Sequence, residues 1–266
     1  MTPPWKGWIG LLRELLAYRT FIRNMVVKDL KLRYQASVLG FLWSMLNPLL
    51  MLGLYTVVFS KIMRVQMENY TFFLFSGLMP WTFFSGSLMA STTSLLGNAG
   101  LIRKVHFPHE TLPLATVLFN FAQLVLALLV VVPGLIVITG AHLTWVALLA
   151  IPLLLLHFTF TVGIAFALSA LTTAFRDITH FTEIALLFLF WASPIVYAAE
   201  MAPRPLQVWF RLSPLAGFAM AYQELLVQHR LPNAEVTLSL VGWTVAALLV
   251  GHGLFRRLGA SFAEAV

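Results

Sequence analysis

The residue types able to make and break bonds are scarce in this sequence and poorly placed for it. Cysteine is absent, which removes thiolate nucleophiles, thiolate metal sites and disulfides. His106 and His109 stand three residues apart in a loop, and a lone pair is too little to hold a metal. No G-x-x-x-x-G-K-[ST] loop is present, so the chain does not hydrolyse a nucleotide through that motif. No serine stands beside a candidate base. His157 is the one ionisable group expected at depth in an apolar run, and a lone histidine there is expected to be a hydrogen-bonded structural residue. Asp177, Glu183 and Glu200 fall at the edges of apolar runs. No catalytic residue, metal or cofactor is expected in this chain.

What remains is binding and movement. Aromatic residues make up 14% of the chain. Phe41, Trp43, Tyr55 and Phe59 mark one apolar run, and Phe188, Phe190, Trp191 and Tyr197 another. Aromatic faces offer apolar area without demanding particular hydrogen bonds, so a path lined by them would let sugar rings slide; the other reading is interfacial belts and lipid-facing bulk. The loop 97–113 is more specific. Its Leu101-Ile102-Arg103-Lys104-Val105-His106-Phe107-Pro108 core mixes basic and apolar residues and ends at a proline. A short helix exposing Leu101, Ile102, Val105 and Phe107 needs cover from the membrane surface or from another subunit.

Composition determines the elements that carry these residues. Hydrophobic residues are 60% of the 266 and charged residues 10%, with a mean hydropathy of +0.87. Soluble domains are closer to half apolar and a quarter charged, so the excess must face lipid. The net charge of +7 does not indicate nucleic acid, because the basic residues flank apolar runs. With roughly 20 apolar residues per helical crossing, six spans are expected at about 38–60, 71–95, 112–138, 145–173, 182–199 and 236–255. Thr139-Gly140-Ala141-His142 is the turn between the third and fourth. Placing the N-terminus in the cytoplasm leaves 12 of the 17 Lys and Arg inside and 5 outside, which fixes the orientation, both termini inside. No cleavable signal is visible in the charged first thirty residues.

Two segments are neither span nor ordinary loop. Residues 1–34 hold Leu11, Leu12, Leu15, Leu16, Phe21, Ile22, Met25 and Val26 at helical spacing among basic residues. This predicts an amphipathic helix in the headgroup plane, or else one packed on a soluble partner. Residues 200–235 contain four prolines yet keep Leu206, Trp209, Phe210, Leu215, Phe218 and Leu225. Short re-entrant helices at 201–230 fit this, as does a structured external loop lying on the membrane. The fold class is therefore all-α integral membrane: six transmembrane helices, an N-terminal amphipathic interface helix, and short re-entrant helices between spans five and six.

Four stretches resemble the membrane-spanning subunit of polysaccharide-exporting ABC transporters. They are Arg33-Tyr34-Gln35-Ala36-Ser37-Val38-Leu39-Gly40-Phe41-Leu42-Trp43 with Asn47-Pro48, then Arg103-Lys104-Val105-His106-Phe107-Pro108, then Phe175-Arg176-Asp177-Ile178. The fourth is Ser193-Pro194-Ile195-Val196-Tyr197 with Leu212-Ser213-Pro214-Leu215. The resemblance implies a homodimer in the bacterial inner membrane, joined to two copies of a separate ATPase that binds ATP and Mg, and moving a lipid-linked polysaccharide such as O-antigen, capsule or teichoic acid. It implies that Leu101 to Pro108 couple to the ATPase and that 201–230 form an outer gate. Tyr34, Phe41, Trp43, Tyr55, Phe188, Trp191 and Tyr197 would line the channel, with Arg33, Arg176 and Asp177 at its inner mouth. The rival readings are an ABC permease for a drug or lipid, a secondary transporter, which calls for buried charges or an inverted repeat, and a membrane enzyme of glycan assembly, which calls for a polar outer constellation.

Overall fold

The computed structural model describes residues 10, 13–34, 42–65, 67, 69–140 and 142–259. Its regular structure is helical, with no strand among the described residues. Helix α1 is Arg19–Tyr34. Helix α2, Leu42–Thr56, runs on as a π-helical stretch, Val57–Ile62. Then follow α3, Tyr70–Thr92; a short α4, Ala99–Ile102; and α5, Thr111–Thr139. After them come α6, Ala150–Ala174, entered through a 3-10 turn at Trp145–Leu149; α7, Ile178–Trp191; α8, Arg204–Leu212; α9, Pro214–Leu226; and α10, Ala234–Leu258.

Local chemistry explains these limits. Gly140 closes α5 in the left-handed region at φ 67°, a conformation glycine adopts at little cost. Helices α8 and α9 open with proline in the first turn, where a missing N–H loses nothing. Asn233 caps α10, its side chain accepting from the Glu235 N–H at 3.0 Å, and Arg256 and Arg257 sit at the negative end of that helix.

Four helical stretches among the described residues are long and apolar enough to cross a bilayer: Tyr70–Thr92, Thr111–Thr139, Trp145–Ala174 and Ala234–Leu258. Two apolar helices are shorter, Pro48–Ile62 and Ile178–Trp191. The expected span at 182–199 needs correction: it is helical only to Trp191. Pro194 cannot donate to the ladder, and the chain leaves the helix as an irregular segment over 192–198. Fourteen residues reach about 21 Å, short of the roughly 30 Å hydrocarbon core.

Helix α3 is the hub. In its most apolar stretch 72% of residues are buried, against 22% in α5, and it packs on α2, α5, α6, α7 and α9. The most extensive pairing is α6 with α10. There Gly163 and Gly251 bring the two backbones into contact: a Cβ on Gly163 would lie 2.5 Å from the Ala247 carbonyl carbon, and one on Gly251 would collide with the Gly163 carbonyl oxygen. Small residues permit this approach where lipid offers no hydrophobic drive.

Candidate functional site

Of the aromatic residues expected to act together, Tyr55 stands on α2 and Phe188 and Trp191 on α7, two helices that both pack on α3. On α7 only Thr182, Leu186 and Phe190 are buried, one stripe at a spacing of four. The other face leaves Phe181, Ile184, Leu187, Phe188 and Trp191 exposed, Phe188 by 70%. Helix α2 and the π-helical stretch after it also expose apolar side chains. Leu52 is buried, while Leu50, Met51, Leu54 and Val57 are exposed. The two are tied through Tyr55, stacked on Phe190 at 6.0 Å, and Phe190 in turn meets Trp81 of α3 at 5.6 Å. Of the expected set, Tyr55 and Tyr197 are half-buried and Phe188 and Trp191 exposed. Phe41 and the side chains of Arg33, Tyr34 and Trp43 lie outside the described residues.

The irregular segment after α7 is buried, with Ser193, Pro194, Ile195 and Val196 all in the core. Its backbone carbonyls have left the helix ladder, and at membrane depth each needs a donor. Gln223 of α9 donates its amide to the Pro194 carbonyl at 2.8 Å, and the Tyr70 hydroxyl of α3 donates to the Val196 carbonyl at 2.7 Å. Tyr197 turns its hydroxyl back onto the Trp191 carbonyl at 2.9 Å. Gly77 lies beside the segment, where an added Cβ would be in ordinary contact with Ile195 at 3.4 Å. Tyr70 and Gln223 were not among the expected residues. Their signal was present: Pro194 in an apolar run orphans backbone acceptors, and Gln223 is a polar residue within the apolar stretch 214–226.

Beyond this segment α8 and α9 differ. Helix α8 is amphipathic, burying Phe210 and exposing Leu206, Val208, Trp209 and Leu212. The Leu212 carbonyl accepts from the Trp243 indole N–H at 2.9 Å. Helix α9 is a core element, with Leu215 to Ala219, Ala221 to Gln223 and Leu225 buried. Its Phe218 stacks on His157, centroids 4.2 Å apart. His157 is thus structural, but by stacking: neither ring nitrogen has a hydrogen-bond partner among the described residues. Nor is it alone in a span, because His252 is buried in α10.

At the opposite end, the 97–110 loop departs from expectation. Ile102 and Phe107 are buried, each only 8% exposed. Phe107 packs on Phe21 of α1 at 4.8 Å, so the chain's own N-terminal helix covers the apolar side of the loop. Leu101, Pro108 and His109 are half-buried, leaving Arg103, Lys104, Val105 and His106 as the projecting edge. Burial, with His106 nearby, lowers the pKa of His109. Burial raises that of Glu110, Glu14 adds to the rise, and Arg256 opposes it. Glu14, Glu110 of this loop and Arg256 at the end of α10 therefore lie near one another. Arg176 and Asp177 are exposed in the turn between α6 and α7. Among the described residues no group of three or more His, Cys, Asp or Glu could hold a metal.

The described residues thus form a helical bundle with a buried, broken backbone segment and a charged loop at its other end. Residues 20–226 match the ABC-2 type transporter family. The chain belongs to that family. Relatives of this ABC-2 transporter chain include the O-antigen export system permease protein RfbA of Myxococcus xanthus, 34% identical over 97% of this chain and 100% of the relative. The Klebsiella pneumoniae protein of the same name is 36% identical over 89% and 91%. The polysialic acid transport protein KpsM of Escherichia coli is 24% identical over 88% and 92%. The family match takes in α1 through α9, and so both the broken segment and the charged loop of this transporter subunit.

Proposed function

We propose that this chain is the permease subunit of an ATP-driven exporter that moves a lipid-linked polysaccharide of O-antigen type across the bacterial inner membrane. The observation that carries this reading is the full-length similarity to O-antigen export permeases, at 34% over 97% of the chain. Both termini are cytoplasmic in this reading, and α2 and α7 are the two shorter of six crossings. Two copies place α2 and α7 against each other and form the channel, its wall built from Tyr34, Phe41, Trp43, Tyr55, Phe188, Trp191 and Tyr197. Arg33, Arg176 and Asp177 receive the charged head of the substrate at the inner mouth.

Two copies of a separate ATPase, carrying ATP and Mg, dock on the edge formed by Arg103, Lys104, Val105 and His106. Ile102 and Phe107 transmit the movement inward through Phe21 and α1. The outer ends of α7, α8 and α9 form the gate. There, the side-chain bonds of Tyr70 and Gln223 hold the broken segment in one arrangement while allowing another, since they fix carbonyls and not a continuous helix.

The test is purification of the chain from its native membrane followed by reconstitution. An ATPase subunit is expected to accompany it, and vesicles holding both are expected to move lipid-linked glycan only with ATP. Recovery of the chain without an ATPase, or glycan movement indifferent to ATP, overturns the reading.

A further inference from the structure

Helix α1 does not lie flat on the bundle along its whole width. The helix packs along α5, with Met25 buried and Phe21 on Phe107 of the 97–110 loop. Along its other edge a groove of about 770 Å³ opens between α1, α5 and α6. Its floor includes Leu114, Leu118 and Ala122 of α5 and Phe158, Val162 and Phe166 of α6. From Leu114 to Ala122 the wall runs about 12 Å along the helix axis, which is acyl-chain depth. The one polar side chain in the wall, Thr159, donates its hydroxyl to the Leu155 carbonyl of its own helix at 2.7 Å. The groove therefore offers an occupant apolar surface and nothing to hydrogen-bond.

The rim is different. Arg19 and Arg23 border the groove, one turn apart on the exposed edge of α1, with Leu16 and Val27 beyond them. Among the described residues neither arginine has a carboxylate partner. The other charges of this region face elsewhere. Lys28 is engaged with Asp29 at 3.8 Å and with Asn98 at 3.4 Å. Glu14 lies towards Glu110. Two guanidinium groups stand over a chain-deep apolar slot, and a guanidinium pairs with phosphate oxygens in a bidentate manner.

We propose that this groove is a binding site for one anionic phospholipid, its phosphate held by Arg19 and Arg23 and an acyl chain lying against Leu118, Ala122 and Val162. Charge complementarity chooses this occupant over a zwitterionic lipid, whose own cation would face the two arginines. None of the lining residues belongs to α2 or α7, so the site is separate from the channel face. A lipid there fills the space under α1 and fixes the angle at which α1 presents Phe21 to Phe107. The proposal rests on the chain being embedded in a bilayer, not on what it exports.

The test is native mass spectrometry of the full-length chain, released from membranes and exposed to equimolar dioleoyl phosphatidylglycerol and dioleoyl phosphatidylcholine. Retention of phosphatidylglycerol is expected to exceed that of phosphatidylcholine by about tenfold. The double substitution Arg19→Gln with Arg23→Gln is expected to bring the two to parity. Arg19→Lys with Arg23→Lys keeps the preference in part, and Ala122→Trp, which fills the slot without changing charge, lowers retention of both lipids. Equal retention by the unaltered chain, or a preference that survives the glutamine pair, overturns the proposal. The readout uses neither ATP nor glycan, so failure of the export reading leaves it intact.

Discussion

The α6–α10 pair and the α2–α7 pair are both made of apolar helices, yet they are built on opposite terms. Helices α6 and α10 meet backbone to backbone at Gly163 and Gly251, where not even a methyl group fits. Helix α7 touches α3 by a single stripe, and α2 and α7 leave Leu54, Phe188 and Trp191 exposed. The first pair can hold one arrangement only. The second leaves an apolar and aromatic face that no described residue covers, and α7 buries only Thr182, Leu186 and Phe190. The contrast is between a close-packed scaffold and, in the proposed reading, a channel wall able to shift, and substitutions can test it.

The largest effect is expected at the scaffold. Gly251→Ala must push α10 away from α6, with a loss of about 3 kcal/mol or more. Gly242→Ala, on the same helix with open space around it, is expected to cost nothing and to add up to about 1 kcal/mol of helix stability. Thermal unfolding of the purified chain in detergent compares the two, and equal losses would erase the distinction. Next come the donors to the broken segment. Gln223→Leu or Tyr70→Phe leaves a buried carbonyl unpaired and is expected to cost about 1–3 kcal/mol, seen in the same melts, with the 192–198 segment more open to protease.

At the wall the order of effects reverses. Phe188→Ala with Trp191→Ala is expected to leave monomer stability within about 0.5 kcal/mol while slowing ATP-dependent glycan export in vesicles. A large stability loss without an export defect would make α7 part of the scaffold. Arg103→Ala with Lys104→Ala is expected to leave insertion and melting unchanged and to reduce recovery of the ATPase with the chain. The smallest effect concerns Glu110. Its carboxyl pKa is raised by burial, so the folded chain holds that proton more tightly than the unfolded one. Stability is then expected to fall as pH rises from the ordinary carboxylate range through the raised value. Glu110→Gln is expected to flatten that part of the melting-temperature profile.

Length and hydropathy made much of the architecture legible. The uninterrupted apolar run 111–175 with its central Thr139-Gly140 signal announces two long helices and a left-handed cap, because glycine at a helix end has few other uses. The prolines at 203, 205 and 214 likewise mark where α8 and α9 start. Cover was not legible. Ile102 and Phe107 read as exposed because their loop is basic, and nothing in their own neighbourhood says that Phe21, some eighty residues earlier, lies over them. Gln223 and Tyr70 escaped notice for a related reason: the acceptors they serve belong to Pro194 and Val196, and only the folded chain brings those pairs together. His157 shows a third limit, since a histidine packed by stacking on Phe218 has the same sequence signature as one held by hydrogen bonds.

The central claim is that the exposed stripe of α7 faces a second copy of the chain across the channel. The absence of native cysteine allows a direct measurement. Single substitutions Ile184→Cys, Phe188→Cys and Trp191→Cys are compared with Leu129→Cys and Val130→Cys on the exposed face of α5, each treated in native membranes with a short bis-maleimide and resolved as monomer or dimer. The account predicts cross-linked dimer from the α7 positions and monomer from α5. Dimer from α5 with none from α7 would contradict it.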